Sequence, residues 1–259
     1  GDTVELADFF AHYAMSHGES TLQKLANRPA VLSHTLGGAK PGAAKLNPHK
    51  PQVDLTTWDA TFELGLGYAG TFAAAVEEAA PTHFAGKASK GSRANWKGQA
   101  GEVHAYPLAD VYSEGVEGFE FEVVLDAAPT DNTFTFPLTD IADLDFFYQP
   151  ALDEEDLSDF EDIVSCTATA CVDDKGTIVV ARPEHIVGSY AVYYRHNETN
   201  KVDGSAFAGG KAFHVYRPKA VDAAGNETWG KLHFNRGQGT LTVTVPKQFL
   251  DTATVSYTH

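Results

Sequence analysis

The chain has 259 residues, 43% of them hydrophobic and 11% aromatic, which is too apolar for a disordered segment and enough for a sizeable core. Nineteen Lys and Arg against 35 Asp and Glu give a net charge of −16, which repels a phosphate backbone; the basic stretch "KASKGSR" at 87–93 is short and Gly-broken, so nucleic acid is not an expected partner. No uncharged stretch is long enough to cross a bilayer as a helix, so membrane insertion is not expected either.

The chain opens at Gly1 with no basic and then apolar leader, so the expectation is either that a signal segment has been removed or that the numbering starts within a longer sequence. "TVELADFFAHYAMS" sets Val4, Leu6, Phe9, Phe10 and Tyr13 near helical spacing, and "SHGESTLQKLAN" offers Ser20 and Gln23 as a capping box, which predicts two short helices. From Arg28 to Asp54 the prolines 29, 41, 48 and 51 and the glycines 37, 38 and 42 forbid regular helix or a central strand. Residues 1–54 therefore read as a helical segment followed by a Pro/Gly-rich stretch that is either a flexible linker or an extended arm able to reach a neighbouring subunit.

Residues 55–100 read as a β-rich connecting region. "TWDATFELGLGY" alternates strictly from Trp58 to Tyr68 and predicts a strand, whereas "TFAAAVEEAA" at 71–80 suits a helix or a continued meander equally. Beyond residue 101 short strand-like runs follow one another at sandwich spacing, among them "EVHAY", "FEFEVVL", "TFTFPL", "LDFFYQ", "YAVYYRH" and "TLTVTVP". Turn residues separate them at "DDKG", "DAAGNE" and "NRGQG". The predicted fold is mainly β: a Greek-key or jelly-roll-like β-sandwich over 101–259, preceded by the short helical and extended N-terminal region.

Chemistry-bearing patterns are sparse. Eleven His show no H-E-x-x-H and no i, i+4 pair, and G-x-S-x-G is absent, so no catalytic residue and no zinc site is assigned. The run "DEEDLSDFED" holds seven carboxylates in ten positions; Asp153, Glu154, Asp156 and Asp159 are candidate calcium ligands, with a solvated acidic loop as the plainer alternative because the order of an EF-hand is missing. Beyond that calcium no cofactor is expected. Cys166 and Cys171 in "SCTATAC" lack the C-x-x-C spacing of metal or redox sites. In one extended strand they would face opposite sides about 17 Å apart, so a disulfide requires a turn between them; bridged and reduced forms stay equally open.

The stretch "GKAFHVYRPKAVDAAGNETWGKLHF" reads as a hairpin turning at "DAAGNE", with Phe213, Val215, Trp229 and Leu232 facing a core and His214 and His233 on its two arms. Together with "FYQPAL", "RPEHIVGSYAVYYRH" and "LTVTVPKQFLDTA", this stretch resembles an uncharacterised β-rich module of phage structural and extracellular proteins. The resemblance covers roughly residues 101–259 and brings no catalytic residues with it. It implies a non-catalytic structural building block of a virion or extracellular assembly, whose partners are copies of itself or other structural subunits. A carbohydrate-binding module, calcium-assisted and using exposed aromatics on a glycan, is the alternative.

Overall fold

The structure, a computed structural model, describes residues 43–258 apart from 48, 57–60, 66–70, 85, 90, 100, 114–117, 159, 196–197, 200–205, 208–210 and 254–256. The two helices expected near the N-terminus, Trp58 and the first part of the arm lie outside the described residues.

Strands β1 (Ala43–Leu46), β2 (Gln52–Thr56) and β3 (Thr61–Gly65) form an antiparallel meander. The first turn is closed by Asn47. Its N–H donates to the Gln52 carbonyl at 2.9 Å, and its Oδ1 accepts from the His49 and Lys50 N–H groups at 2.8 and 3.2 Å, the Asx geometry that lets a Pro-flanked segment reverse. The expectation of an extended arm to residue 54 is corrected at this end: 43–46 and 52–56 pair within the chain's own sheet, and the 54/55 boundary falls inside β2.

Next come β4 (Val76–Ala79), β5 (His83–Phe84), β6 (Lys87–Ser89) and β7 (Ser92–Lys97). "VEEA" is a strand although it is built of helix formers, because β7 supplies a partner and Arg93 stands opposite Glu78. The longest ladder joins β8 (Gly101–Val111) to β9 (Gly118–Leu125). Then follow β10 (Thr133–Thr139), β11 (Leu144–Gln149), β12 (Ser165–Cys166), β13 (Ala170–Val172), β14 (Ile178–Ala181), β15 (Ser189–Tyr194), β16 (Glu198–Thr199) and β17 (Ala206–Phe207). The chain continues through β18 (Lys211–Val215), β19 (Lys219–Val221), β20 (Glu227–Trp229), β21 (Lys231–Asn235), β22 (Thr240–Thr244), helix α1 (Lys247–Thr252) and β23 (Tyr257–Thr258).

The fold is mainly β, a sandwich of curled antiparallel sheets. One sheet runs β1-β2-β3-β10-β22-β21; the largest runs β20-β19-β23-β9-β8-β6-β5, with β7 also pairing β8 and β4 beyond it; β11-β15-β18 and β12-β13-β14 are smaller. Strand order departs from chain order where β10 lies between β3 and β22 and where β23 lies between β19 and β9, the crossed connections of a Greek-key sandwich. One core joins the odd-numbered residues Val103, Ala105, Val123 and Leu125 of β8 and β9 to Phe134 of β10, Val192 and Tyr194 of β15, Phe213 of β18 and Leu241 and Val243 of β22. All six residues of β15 are buried, so its run "SYAVYY" is covered on both faces, as expected where apolar residues do not alternate.

Candidate functional site

The disulfide joins Cys166 and Cys171, which face each other across the β12–β13 pair with a tight turn between them, the Thr167 N–H donating to the Ala170 carbonyl at 2.8 Å. Cys171 packs with Leu152 and Val180 in a small separate core. The calcium candidates Asp153, Glu154 and Asp156 are exposed, Asp159 lies outside the described residues, and no three metal-ligating groups of this run converge among the described residues. Asp156 instead accepts from the Ser158 N–H at 3.1 Å, and Glu155 pairs with the buried Arg182 at 2.9 Å.

The proposed hairpin is smaller than its sequence suggests. "DAAGNE" does reverse the chain, but between β19 and β20: the Asp222 carboxylate accepts from the N–H groups of Ala224 and Asn226 and from the Asn226 side chain at 2.8–3.0 Å. The longer arms part company. β18 pairs with β15 and β21 with β22, one arm being interrupted at Pro218 between β18 and β19 and the other at Gly230 between β20 and β21. Phe213 and Leu232 are buried in the main core, Val215 is partly buried against it, and His214 and His233 do not face each other. Trp229 is a correction: it is only partly buried, donates from Nε1 to Glu184 at 3.0 Å, and has Lys219 and Arg217 at 4.3 and 4.7 Å from its ring centroid.

Around Trp229 lies an aromatic and cationic cluster. Tyr112 stacks on His185 with ring centroids 4.1 Å apart, Tyr216 leans on both, and Lys87 and Lys219 stand about 6 Å from the Tyr112 ring. Tyr112 holds this place in a left-handed backbone conformation, φ 54°, and a Cβ on Gly86 (φ 84°) would meet the Tyr112 ring at 2.7 Å, so Gly86 is needed both for its dihedral and for its missing side chain. Tyr216, Arg217 and Lys219 of this cluster also line a cavity of about 180 Å³ that has Phe119, Phe134 and Phe213 among its walls. Such a cavity takes an apolar group and offers Arg217 and Lys219 to a polar end.

Buried Ser189 and His214 meet at 2.7 Å, the spacing of a nucleophile and its base. The Ser189 hydroxyl, however, donates to the Ile186 carbonyl at 2.5 Å, so its proton is directed away from the imidazole. The pair ties β15 to β18 and does not form an activated nucleophile.

A further constellation escaped sequence reasoning. The even-numbered residues Glu102, His104 and Tyr106 of β8 and Glu120 and Glu122 of β9 share the sheet face opposite the apolar core, His104 registering with Glu122 and Tyr106 with Glu120. His104 is bracketed by carboxylates, Nε2 2.8 Å from Glu102 and Nδ1 3.3 Å from Glu122, and the Tyr106 hydroxyl donates to Glu122. The Asn95 amide donates to both Glu78 and Glu102 at 3.0 and 2.7 Å, and Arg93 and Lys97 pair with Glu78 at 3.3 and 3.5 Å. A register shift opposite β6 flips the parity beyond Leu108, so Lys87, across from Val111, reaches Glu120 at 3.0 Å.

These groups are tuned by their surroundings. Burial, opposed by Lys87 and reinforced by Glu122, pushes the Glu120 carboxyl up to about 7. Despite burial, the Glu120 carboxylate holds the Lys87 ammonium above its ordinary range. The Asn95 hydrogen bond, with Arg93 and Lys97, lowers Glu78; Glu102 is lowered too, the hydrogen bonds from His104 and Asn95 outweighing its burial. The alternation of "FEFEVVL" predicts a strand, but alternation alone carries no sign that its polar face is covered, as it is here at Glu120 and Glu122.

Among the described residues the large exposed hydrophobics are Val76, Phe147, Tyr148, Val164, Ile178 and Val179, and five of these six fall between residues 147 and 179. Phe147 and Tyr148 lie on β11 and Ile178 and Val179 on β14, and both strands are at the edge of their sheets. No protein-family model, curated protein or solved structure matches the chain.

Proposed function

We propose that the chain is a non-catalytic structural building block of a virion or extracellular assembly, joined to copies of itself or to other structural subunits through the edges of its small sheets. The observation that carries this reading is the placement of exposed apolar side chains on edge strands. Ile178 and Val179 on β14 are 61% and 41% exposed, and Phe147 and Tyr148 on β11 are 38% and 50% exposed. An edge strand that keeps apolar side chains in water is a template for pairing with another chain. The resemblance of residues 101–259 to phage structural and extracellular modules supports the same reading.

The experiment is light scattering and electron microscopy on the wild type and on the double variant Ile178→Lys, Val179→Lys. The wild type multimerises, whereas the variant stays monomeric with an unchanged melting temperature, since both positions are solvent-facing. A wild type that remains a monomer at high concentration overturns the proposal. The carbohydrate-binding alternative rests on Tyr148, whose ring lies beside Tyr190 at 5.3 Å with half its surface exposed. Trp229 serves that reading poorly, since cations already approach its ring. Loss of binding to a specific glycan in Tyr148→Ala, with assembly intact, selects the alternative.

A further inference from the structure

We propose that Glu78, Glu102 and His104 bind one divalent transition-metal ion, with Asn95 as a fourth ligand and Glu122 orienting the histidine. The donor atoms of the three titratable residues all lie within 4.8 Å of one another. Zinc bonds to imidazole nitrogen and carboxylate oxygen of about 2.0–2.2 Å put tetrahedral ligand atoms about 3.4 Å apart, so the cluster closes on an ion with small side-chain movements. Glu102 and His104 alternate on one face of β8, Asn95 stands opposite His104 on β7, and Glu78 comes from β4 beyond it. Four donors on three paired strands form a rigid set.

The histidine carries the outer-shell partner that metal-bound imidazoles have. Glu122, almost fully buried, faces Nδ1 at 3.3 Å and is itself held by Tyr106, which leaves Nε2 directed at the two more exposed carboxylates. An ion at Nε2 takes the place of the direct contact of 2.8 Å between that nitrogen and Glu102. The side chain between the two carboxylates is an amide that can be turned over. Asn95 is 1% exposed and its Oδ1 has no hydrogen-bond partner among the described residues, while its Nδ2 sits between Glu78 and Glu102. Buried amide oxygens are seldom left unpaired. Turning the amide over places Oδ1 between the carboxylates, where it serves a cation.

A mixed nitrogen and oxygen set suits zinc, manganese or ferrous ion better than calcium, which takes six to eight oxygens. Arg93 and Lys97 occupy Glu78 in the metal-free cluster, so the ion competes with them. Lys97 is mostly exposed and leaves most easily.

The test uses the full chain stripped with chelator, titrated with Zn²⁺ by calorimetry and with Co²⁺ by visible absorption. One ion per chain is expected. Glu78→Gln and Glu102→Gln each weaken binding by about tenfold or more, and Lys97→Gln tightens it several-fold. Both glutamates are partly exposed, so these variants fold, which a melting curve verifies. No binding at millimolar Zn²⁺, or binding that neither glutamate variant weakens, overturns the proposal. Weakening by Lys97→Gln also overturns it, because it places the ion elsewhere.

Discussion

His104 on β8 stands directly across the ladder from Glu122 on β9, with Nδ1 3.3 Å from the carboxylate, on the face of the sheet that turns away from Val103, Ala105 and Val123. A single ladder thus separates an apolar core from a buried polar one. The polar side is held by mutual satisfaction: Glu122 takes bonds from Tyr106 and His104, and His104 in turn reaches Glu102. Networks of this kind fix the register of a sheet, because a slip by one residue would put Glu120 and Glu122 into the phenylalanine-lined core.

Removing Glu122 leaves two buried groups without their acceptor. Glu122→Ala should destabilise the protein by about 3 kcal/mol or more. The double variant His104→Ala, Glu122→Ala should be milder than the sum of its parts by about 1–3 kcal/mol. Urea denaturation in the presence of a chelator measures both, and strict additivity would show that the two residues are not coupled.

Glu120 makes stability depend on pH. Its carboxyl titrates near 7 in the folded chain against an ordinary 4.5, so between those values the folded state holds more protons than the unfolded one, and stability falls as pH rises through the window. The span corresponds to at most about 3 kcal/mol. Glu120→Gln should be less stable overall, since Lys87 loses its partner, but its melting temperature should fall less steeply between pH 4.5 and 7 than that of the wild type. Parallel slopes would refute the assignment.

The disulfide should act locally. It closes a loop of sequence separation 5, for which the chain-entropy relation gives about 2 kcal/mol. Its surroundings, Leu152, Cys171 and Val180, form a core of their own. Reduction, or Cys166→Ser with Cys171→Ser, should speed hydrogen exchange across 165–181 and leave the β8–β9 ladder protected. Equal loss of protection in both regions would mean that the small sheet unfolds only with the whole domain.

What was legible in the sequence was mostly periodicity. "FEFEVVL" became an eight-residue strand and "TLTVTVP" gave β22, because alternation is a local property of the chain. What covers each face is not local. Glu120 and Glu122 alternate with apolar residues along β9 and are nevertheless buried, and the ligand set Glu78, Glu102, His104 is assembled from strands whose pairing no spacing rule announces. Even "VEEA" inverted its propensity once β7 offered a ladder. The turns were readable in kind but not in reach: "DAAGNE" reverses the chain as Asx chemistry requires, yet its arms are β19 and β20, and the flanking aromatic runs pair elsewhere.

That difference in reach decides the last prediction. Were Trp229 and Leu232 two core positions of one hairpin, truncating the tryptophan would be the more damaging change, because it removes the larger side chain. The structure separates them. Leu232 is buried against Val243 on the neighbouring strand and belongs to the main core, so Leu232→Ala should cost about 2–5 kcal/mol. Trp229 is partly exposed and held by Glu184 and the cations Lys219 and Arg217, contacts in the range of about 0.5–2 kcal/mol each at accessible sites. Trp229→Ala should therefore cost less than Leu232→Ala, and Trp229→Phe, which keeps a ring for the cations and loses only the bond to Glu184, less still. Chemical denaturation of the three variants orders them, and a tryptophan truncation more costly than the leucine one would return Trp229 to the core.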